Sequence, residues 1–125
     1  MGYPTYVPTE LDEASEQLAA LSQWIDCYGP NAARSREAQL WGRTMKGGEE
    51  HGEVVDAMIA YTGQNPRKGQ SGTLAEVEKE LLDEAVSALG AIQHLRDVHG
   101  HAGPLPIQAL FAHLQFLCDR AGLDG

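Results

Sequence analysis

Hydrophobic residues recur along this chain at the spacing of α-helices. In the first third, Leu11, Leu18 and Ile25 repeat every seven residues, which predicts a helix that opens with Thr9 as its N-cap and stops around Gly29-Pro30. The alternation of apolar and polar residues that marks a strand is absent throughout. The pattern therefore predicts an all-α protein.

A second helix is predicted from about residue 32 to residue 61, with Asn31 as its cap. Gly47 and Gly48 lie inside it, and each glycine weakens a helix by roughly 0.5–1 kcal/mol relative to alanine. We therefore expect either a continuous helix or a break before Glu49. The two glycines also leave room for close approach of another helix or of a substrate.

Two more helices complete the prediction. The third opens with the capping box Thr73-Leu74-Ala75-Glu76 and runs to about Val98. The last begins at Pro104 or Pro106, because proline suits a first helical turn, and stops at Gly122. The expected architecture is a four- to five-helix bundle.

The chain length of 125 residues suits one domain, so we expect a single unit over residues 1–125 with residues 1–8 as an extended arm. The third helix is apolar over a broad face, and its middle is expected to be buried on more than one side. A bundle core or a contact between subunits would satisfy it, so a homo-oligomer is expected.

A net charge of −9 argues against nucleic acid and anionic membranes as partners. The sequence has neither an apolar run of about 20 residues nor a basic-then-apolar leader, which predicts a cytoplasmic protein. Its two cysteines, Cys27 and Cys118, lie in helical apolar patterns, and we expect reduced, buried thiols.

Two acidic stretches stand out within the helical pattern. On a helical wheel Glu53 falls about 40° and Glu50 about 100° from Glu49, which makes an acidic stripe bordered by apolar and small residues. Glu80 and Asp83 lie one turn apart on the third helix. Carboxylates gathered in a cleft must protonate, pair with bases or hold a cation, and an oxygen-only set suits Mg²⁺ or Mn²⁺.

These residues carry a resemblance to a known family. Two adjacent glutamates, a third glutamate three residues on, and then Glu-x-x-Asp on another helix resemble the pattern of the MazG-like all-α nucleoside triphosphate pyrophosphohydrolases. The segment from Thr62 to Gly69, of sequence TGQNPRKG, also looks like a loop found in members of that family. The resemblance covers roughly residues 34–98, which we take as the motif-bearing core. The amino-terminal helix lies outside it.

The resemblance implies the activity and its residues. Glu50, Glu53, Glu80 and Asp83 would bind Mg²⁺, with Mn²⁺ as an alternative, and Glu49, Glu50 and Glu53 would be the catalytic residues. A metal-activated water would attack a nucleoside triphosphate between its α and β phosphates, giving a monophosphate and pyrophosphate. Members of the family form dimers or tetramers, so a homodimer or homotetramer is expected.

Phosphate contacts are expected from basic residues near the acidic stretches, each of which could equally be a surface charge. They are Arg43, Lys46, Arg67 and Lys68. The aromatic residues Trp24, Trp41 and Tyr61 could stack on a base, although aromatic residues at this spacing more often belong to a core.

Three alternatives stay open. The acidic stripes could be solvated helix faces. The helices could form a di-iron bundle, but such a bundle needs Glu-x-x-His motifs that this chain lacks. The protein could also be a non-catalytic helical interaction protein. Among the histidines, His51 is expected to be structural or exposed. His94 and His113 have no evident partner, and a metal pair of His99 and His101 is disfavoured.

Overall fold

A computed structural model of the protein describes residues 8–123, and over these residues the chain is helical and contains no strand. The elements are α1 (Pro8–Cys27), a 3-10 helix (Gly29–Ala33), α2 (Arg36–Thr62), α3 (Leu74–Asp97) and α4 (Pro106–Arg120). The all-α prediction is confirmed. The expected arm lies outside the described residues except for Pro8, which begins α1 and also places Thr9 inside that helix instead of at its cap.

The start of α2 corrects the prediction. Asn31 does not cap this helix, because it belongs to the 3-10 helix and its side-chain amide donates to the carbonyl of Ile25 at 3.0 Å. Ser35 is the cap, and its hydroxyl accepts from the backbone N–H of Ala38 at 3.1 Å. The helix then runs through both glycines without a break.

The helices α2 and α3 form an antiparallel hairpin. α2 ends at Gly63, whose φ of 67° is the left-handed conformation that glycine adopts without strain. The following loop folds back so that the N–H groups of Ser71 and Gly72 donate to the carbonyl of Ala60. The hydroxyl of Thr73 accepts from the N–H of Glu76 at 3.2 Å, which confirms the predicted cap of α3. The hairpin brings the two acidic stretches face to face.

The other helices pack around this hairpin. α1 lies mainly on α3, and α4 contacts both α3 and α1. α4 begins with Pro106 in its first turn and is followed by Gly122 in the left-handed conformation, as predicted. Within residues 8–123, no helix is long and apolar enough to cross a membrane.

The hydrophobic core of the single chain is small. Among the described residues, the buried hydrophobic side chains are Leu18, Val54 and Val77. Large apolar side chains on every helix are exposed, and on α3 they include Leu81 and Leu82. The expectation that α3 is buried on more than one side is therefore not met within one chain.

The two cysteines are both free. Cys118 is half-buried, but Cys27 is exposed, so the prediction of two buried thiols is wrong for Cys27. Cys27 is the last residue of α1.

Candidate metal centre and its cavity

Three carboxylates meet where α2 and α3 face each other. Glu50 of α2 and Glu80 and Asp83 of α3 each offer an oxygen, and these three atoms lie within 4.8 Å of one another. The arrangement follows from the hairpin: Glu80 and Asp83 lie one turn apart on α3, and Glu50 projects from the facing side of α2. Such a set of oxygens is what Mg²⁺ or Mn²⁺ prefers.

Two of these carboxylates each have one oxygen that lacks a partner. Glu50 is only 8% exposed. Within the described residues, the Oε2 atoms of Glu50 and of Glu80 are buried and accept no hydrogen bond. A buried polar atom left unpaired costs about 1–3 kcal/mol, and more when it is charged. A divalent cation between the two helices would satisfy both atoms, so the residues present fit the metal that the sequence predicts.

Glu53 lies next to this cluster and contacts it through Glu80. The Glu53 side chain is exposed, and a hydrogen bond with Glu80 raises its pKa above the usual range. The negative charge of Glu50 raises this pKa further, because it disfavours a second ionised carboxylate nearby. The neighbouring carboxylates therefore favour the protonated form of Glu53.

Two lysines border the cluster and partly neutralise it. The ammonium of Lys46 lies 3.1 Å from Glu49 and 3.5 Å from Glu50. The ammonium of Lys79 lies 2.9 Å from Asp83 and 3.4 Å from Glu80. Both lysines are exposed, and their hydrogen bonds with carboxylates raise the pKa of each. These pairs contribute little in water, and they leave the two buried oxygens unsatisfied.

A cavity of about 630 Å³ opens beside the carboxylates, between α1, α2 and α3. Glu50 and Asp83 line one end, and the 3-10 helix closes the other. Along α2 the lining extends from Ala38 to Glu50, which at 1.5 Å per residue is about 18 Å. Trp24 and Tyr28 line the end away from the carboxylates, with ring centroids 4.8 Å apart.

The predicted substrate-binding residues divide into two groups. Arg43 and Lys46 line the cavity. Arg67 and Lys68 lie in the loop between α2 and α3, are exposed, and do not line it. Among the aromatic residues, Trp24 lines the cavity, whereas Trp41 and Tyr61 do not.

The wall of the cavity contains a polar network that the sequence analysis missed. Arg43 forms an ion pair with Asp26 at 2.9 Å, and the other carboxylate oxygen of Asp26 lies 2.7 Å from Nδ1 of His94. His94 is fully buried, and its Nε2 lies 3.2 Å from Nε2 of His99. The available sequence signal was Ser22, which lies four residues after Leu18 and three before Ile25, on the apolar stripe of α1 and one turn before Asp26.

Searches against protein-family models, curated proteins and solved structures find no match for this chain.

Proposed function

We propose that the protein is a MazG-like, Mg²⁺-dependent nucleoside triphosphate pyrophosphohydrolase that converts a ribo- or deoxyribonucleoside triphosphate to its monophosphate and pyrophosphate. The observation that supports this most is the pair of buried, unpartnered Oε2 atoms of Glu50 and Glu80. They belong to a three-carboxylate cluster at one end of a cavity long enough for an extended nucleotide. A cation site for phosphates and a long adjoining cavity together suit this substrate class.

The metal ligands in this proposal are Glu50, Glu80 and Asp83, with Glu53 joining them through its contact with Glu80. A bound Mg²⁺ or Mn²⁺ would lower the pKa of a coordinated water and offset the charge of the triphosphate. Glu53 contacts Glu80 at the edge of this set, which makes it the candidate to accept the proton of the attacking water. Glu49 pairs with Lys46, which also pairs with Glu50, and Glu49 would have an outer, orienting role.

The phosphates would meet Lys46 first. Its exposed ammonium lies beside Glu50 and lines the cavity, so it can turn to a phosphate once a cation takes its place beside the carboxylates. Arg43 is less free, since its guanidinium already makes four internal hydrogen bonds.

The nucleoside would occupy the end of the cavity formed by α1 and the 3-10 helix. Leu21, Trp24 and Tyr28 give this end an apolar and aromatic lining, and all three side chains are exposed in the single chain. Aromatic faces of this kind stack on planar bases. The amino-terminal helix, which lies outside the family resemblance, thereby acquires a role in substrate binding.

A homodimer or homotetramer is part of the proposal. Large hydrophobic side chains on all four helices are exposed in the single chain. Exposed apolar surface of this kind on a small protein is typical of an interface.

The alternative is a non-catalytic helical interaction protein. The pairs of Lys46 with Glu50 and of Lys79 with Asp83 favour it, because lysines can neutralise acidic helix faces without any metal. The extensive exposed apolar surface would then serve a partner. Metal binding separates this alternative from the enzyme.

The test is hydrolysis of a nucleotide panel with Mg²⁺ or Mn²⁺, in which pyrophosphate is assayed separately from orthophosphate. We expect pyrophosphate release that Glu50→Gln and Glu80→Gln abolish and that Glu78→Gln, an exposed carboxylate on the same helix as Glu80, leaves unchanged. Metal binding without turnover of any nucleotide would favour the interaction protein. Absence of metal binding would reduce the cluster to solvated acidic faces.

A further inference from the structure

A second polar cluster lies along the same cavity, two helical turns from the carboxylates. Arg43 precedes Glu50 by seven residues on α2, and Gly90 follows Asp83 by seven residues on α3, a distance of about 10 Å along each helix. The cluster connects α1, α2, α3 and the segment after α3 and has no part in metal binding.

Arg43 is the centre of this cluster. Its Nη1 donates to the carbonyl of Ser22 at 3.1 Å and to Oδ1 of Asp26 at 2.9 Å. Its Nη2 donates to the hydroxyl of Ser22 at 2.9 Å and to the carbonyl of Gly90 at 3.0 Å. A guanidinium has five N–H groups, so these four bonds leave little capacity for a phosphate. Arg43 therefore bridges α2 to α1 and α3.

The hydrogen bonds around Asp26 fix the proton positions on two histidines. The ionised carboxylate only accepts, so the Nδ1 of His94 that lies 2.7 Å from Oδ2 must carry a hydrogen. In the neutral ring Nε2 is then an acceptor. The Nε2 of His99, 3.2 Å away, must be the donor. The chain of donors thus runs from His99 to His94 to Asp26.

The hydrogen bonds from His99 to Asp26 end at the wall of the cavity. Ser22, Asp26, Arg43 and Gly90 all belong to the cavity lining. α1 packs on α3, and the cavity separates α1 from α2. The hydrogen bonds of Arg43 therefore cross the cavity from α2 to α1. A contact that holds Asp26 in place therefore also holds the α1 end of the Arg43 bridge.

We propose that Asp26, His94 and His99 are positioning residues: His94, kept in its Nδ1–H tautomer by Asp26 and contacted at Nε2 by His99, holds Asp26 so that Arg43 ties α1 to α2 and fixes the width of the nucleoside half of the cavity. The role in nucleotide binding rests on the proposed function, whereas the tautomers and the bridge do not. Loss of the hydrogen bonds that connect His99, His94 and Asp26 loosens α1 and weakens substrate binding, while the carboxylates two turns away keep their arrangement.

The variants that isolate the chain act on His99, which lies after the end of α3 and is exposed. His99→Ala removes the donor to His94. His99→Gln can restore it, because the glutamine amide also donates. His101→Ala is the matched control, since His101 is an exposed histidine of the same linker outside this network.

The first measurement is independent of activity. Long-range ¹H–¹⁵N spectra of the full chain near neutral pH should show His94 as the Nδ1–H tautomer and His99 as the Nε2–H tautomer. Hydrogen exchange of the α1 amides should be faster in His99→Ala and unchanged in His99→Gln and His101→Ala. A His94 with its hydrogen on Nε2, or α1 exchange insensitive to His99→Ala, overturns the proposal.

The second measurement uses turnover. We expect His99→Ala to raise KM for the nucleotide about 3- to 10-fold, equal to roughly 0.7–1.4 kcal/mol, with kcat nearly unchanged and recovery in His99→Gln. A fall in kcat with unchanged KM would overturn the assigned role. If the wild-type chain hydrolyses no nucleotide, the proposed function fails, but the tautomers and the exchange of α1 still decide whether the chain positions Arg43.

Discussion

Glu50 on α2 and Glu80 on α3 face each other with a ligand oxygen of each within 4.8 Å of the other, and both keep their Oε2 atoms buried without a hydrogen bond. Two carboxylates in this relationship repel when both are ionised. Their repulsion lowers the stability of the metal-free fold, and a cation between them reverses its effect. If the cluster holds the cation proposed above, metal binding is linked to folding.

Metal should therefore stabilise the protein, and the effect should depend on Glu50. Saturating Mg²⁺ or Mn²⁺, at a free concentration 100-fold above its Kd, should add about 2.7 kcal/mol to the free energy of unfolding. Glu50→Gln should remove this gain and raise the stability of the metal-free protein by about 1 kcal/mol, because it relieves the repulsion with Glu80. Thermal unfolding with and without metal measures both effects. A metal-induced shift that survives in Glu50→Gln would contradict the assignment.

The stability of the metal-free protein should also depend on pH through Glu53. Its pKa is raised by the hydrogen bond with Glu80, so the folded state binds this proton more tightly than the unfolded state does. The contribution is therefore fully present below the pKa of an unfolded glutamate and is lost as the pH rises through the raised pKa of the folded state. Between neutral pH and about pH 4.5, acidification should stabilise wild type relative to Glu53→Gln.

The difference in Tm between wild type and Glu53→Gln, followed against pH, isolates this effect from the other carboxylates. Saturating Mg²⁺ should suppress it, since the cation competes with the proton of Glu53. A difference that is independent of pH without metal would contradict the raised pKa of Glu53.

Two glycines should respond to alanine in opposite directions. A Cβ added at Gly90 would lie 3.1 Å from Nη2 of Arg43, which four hydrogen bonds hold in place, so Gly90→Ala should lower the free energy of unfolding by about 1 kcal/mol. A Cβ added at Gly48 meets nothing within 4 Å, so Gly48→Ala should raise it by about 0.5–1 kcal/mol through helix propensity. Denaturant unfolding measures both. Equal effects of the two substitutions would contradict the tight contact at Gly90.

Local rules predicted the helices from the sequence because each one depends on neighbouring residues. The cap at Thr73, the stop at Gly122 and the hairpin loop are set within a few residues of where they act. The cap of α2 was misplaced at Asn31 because both Asn31 and Ser35 are good capping residues. Contacts of the 3-10 helix with Ile25, which the sequence does not reveal, decide between them.

The acidic cluster could be predicted from the sequence, whereas the polar network in the cavity wall could not. The difference lies in how the contacting residues are brought together. Glu50, Glu80 and Asp83 lie on two consecutive helices, and an antiparallel hairpin brings them together. His94 contacts Asp26 across 68 positions of sequence, and that pair depends on how α1 docks on α3. Periodicity within one helix carries no information about that docking.

The exposed apolar faces lead to a prediction of assembly. Trp41 and Met45 on α2 are 63% and 61% exposed, and Leu82 on α3 is 59% exposed. Fully burying a large apolar side chain contributes about 1.5–3 kcal/mol, so we expect a second copy of the chain to cover these faces. Sedimentation equilibrium should give the mass of two or four chains.

A charge introduced at the exposed apolar position of Leu82 should dissociate the assembly. Leu82→Lys should shift the mass to that of one chain and lower Tm, whereas Gln17→Lys, which adds the same charge at an exposed polar site of α1, should change neither. The Lys side chain would have to be buried without a partner, and that cost exceeds what the remaining contacts supply. A wild-type protein that sediments as one chain, or a Leu82→Lys variant that keeps the wild-type mass, would mean that these faces serve something other than self-association.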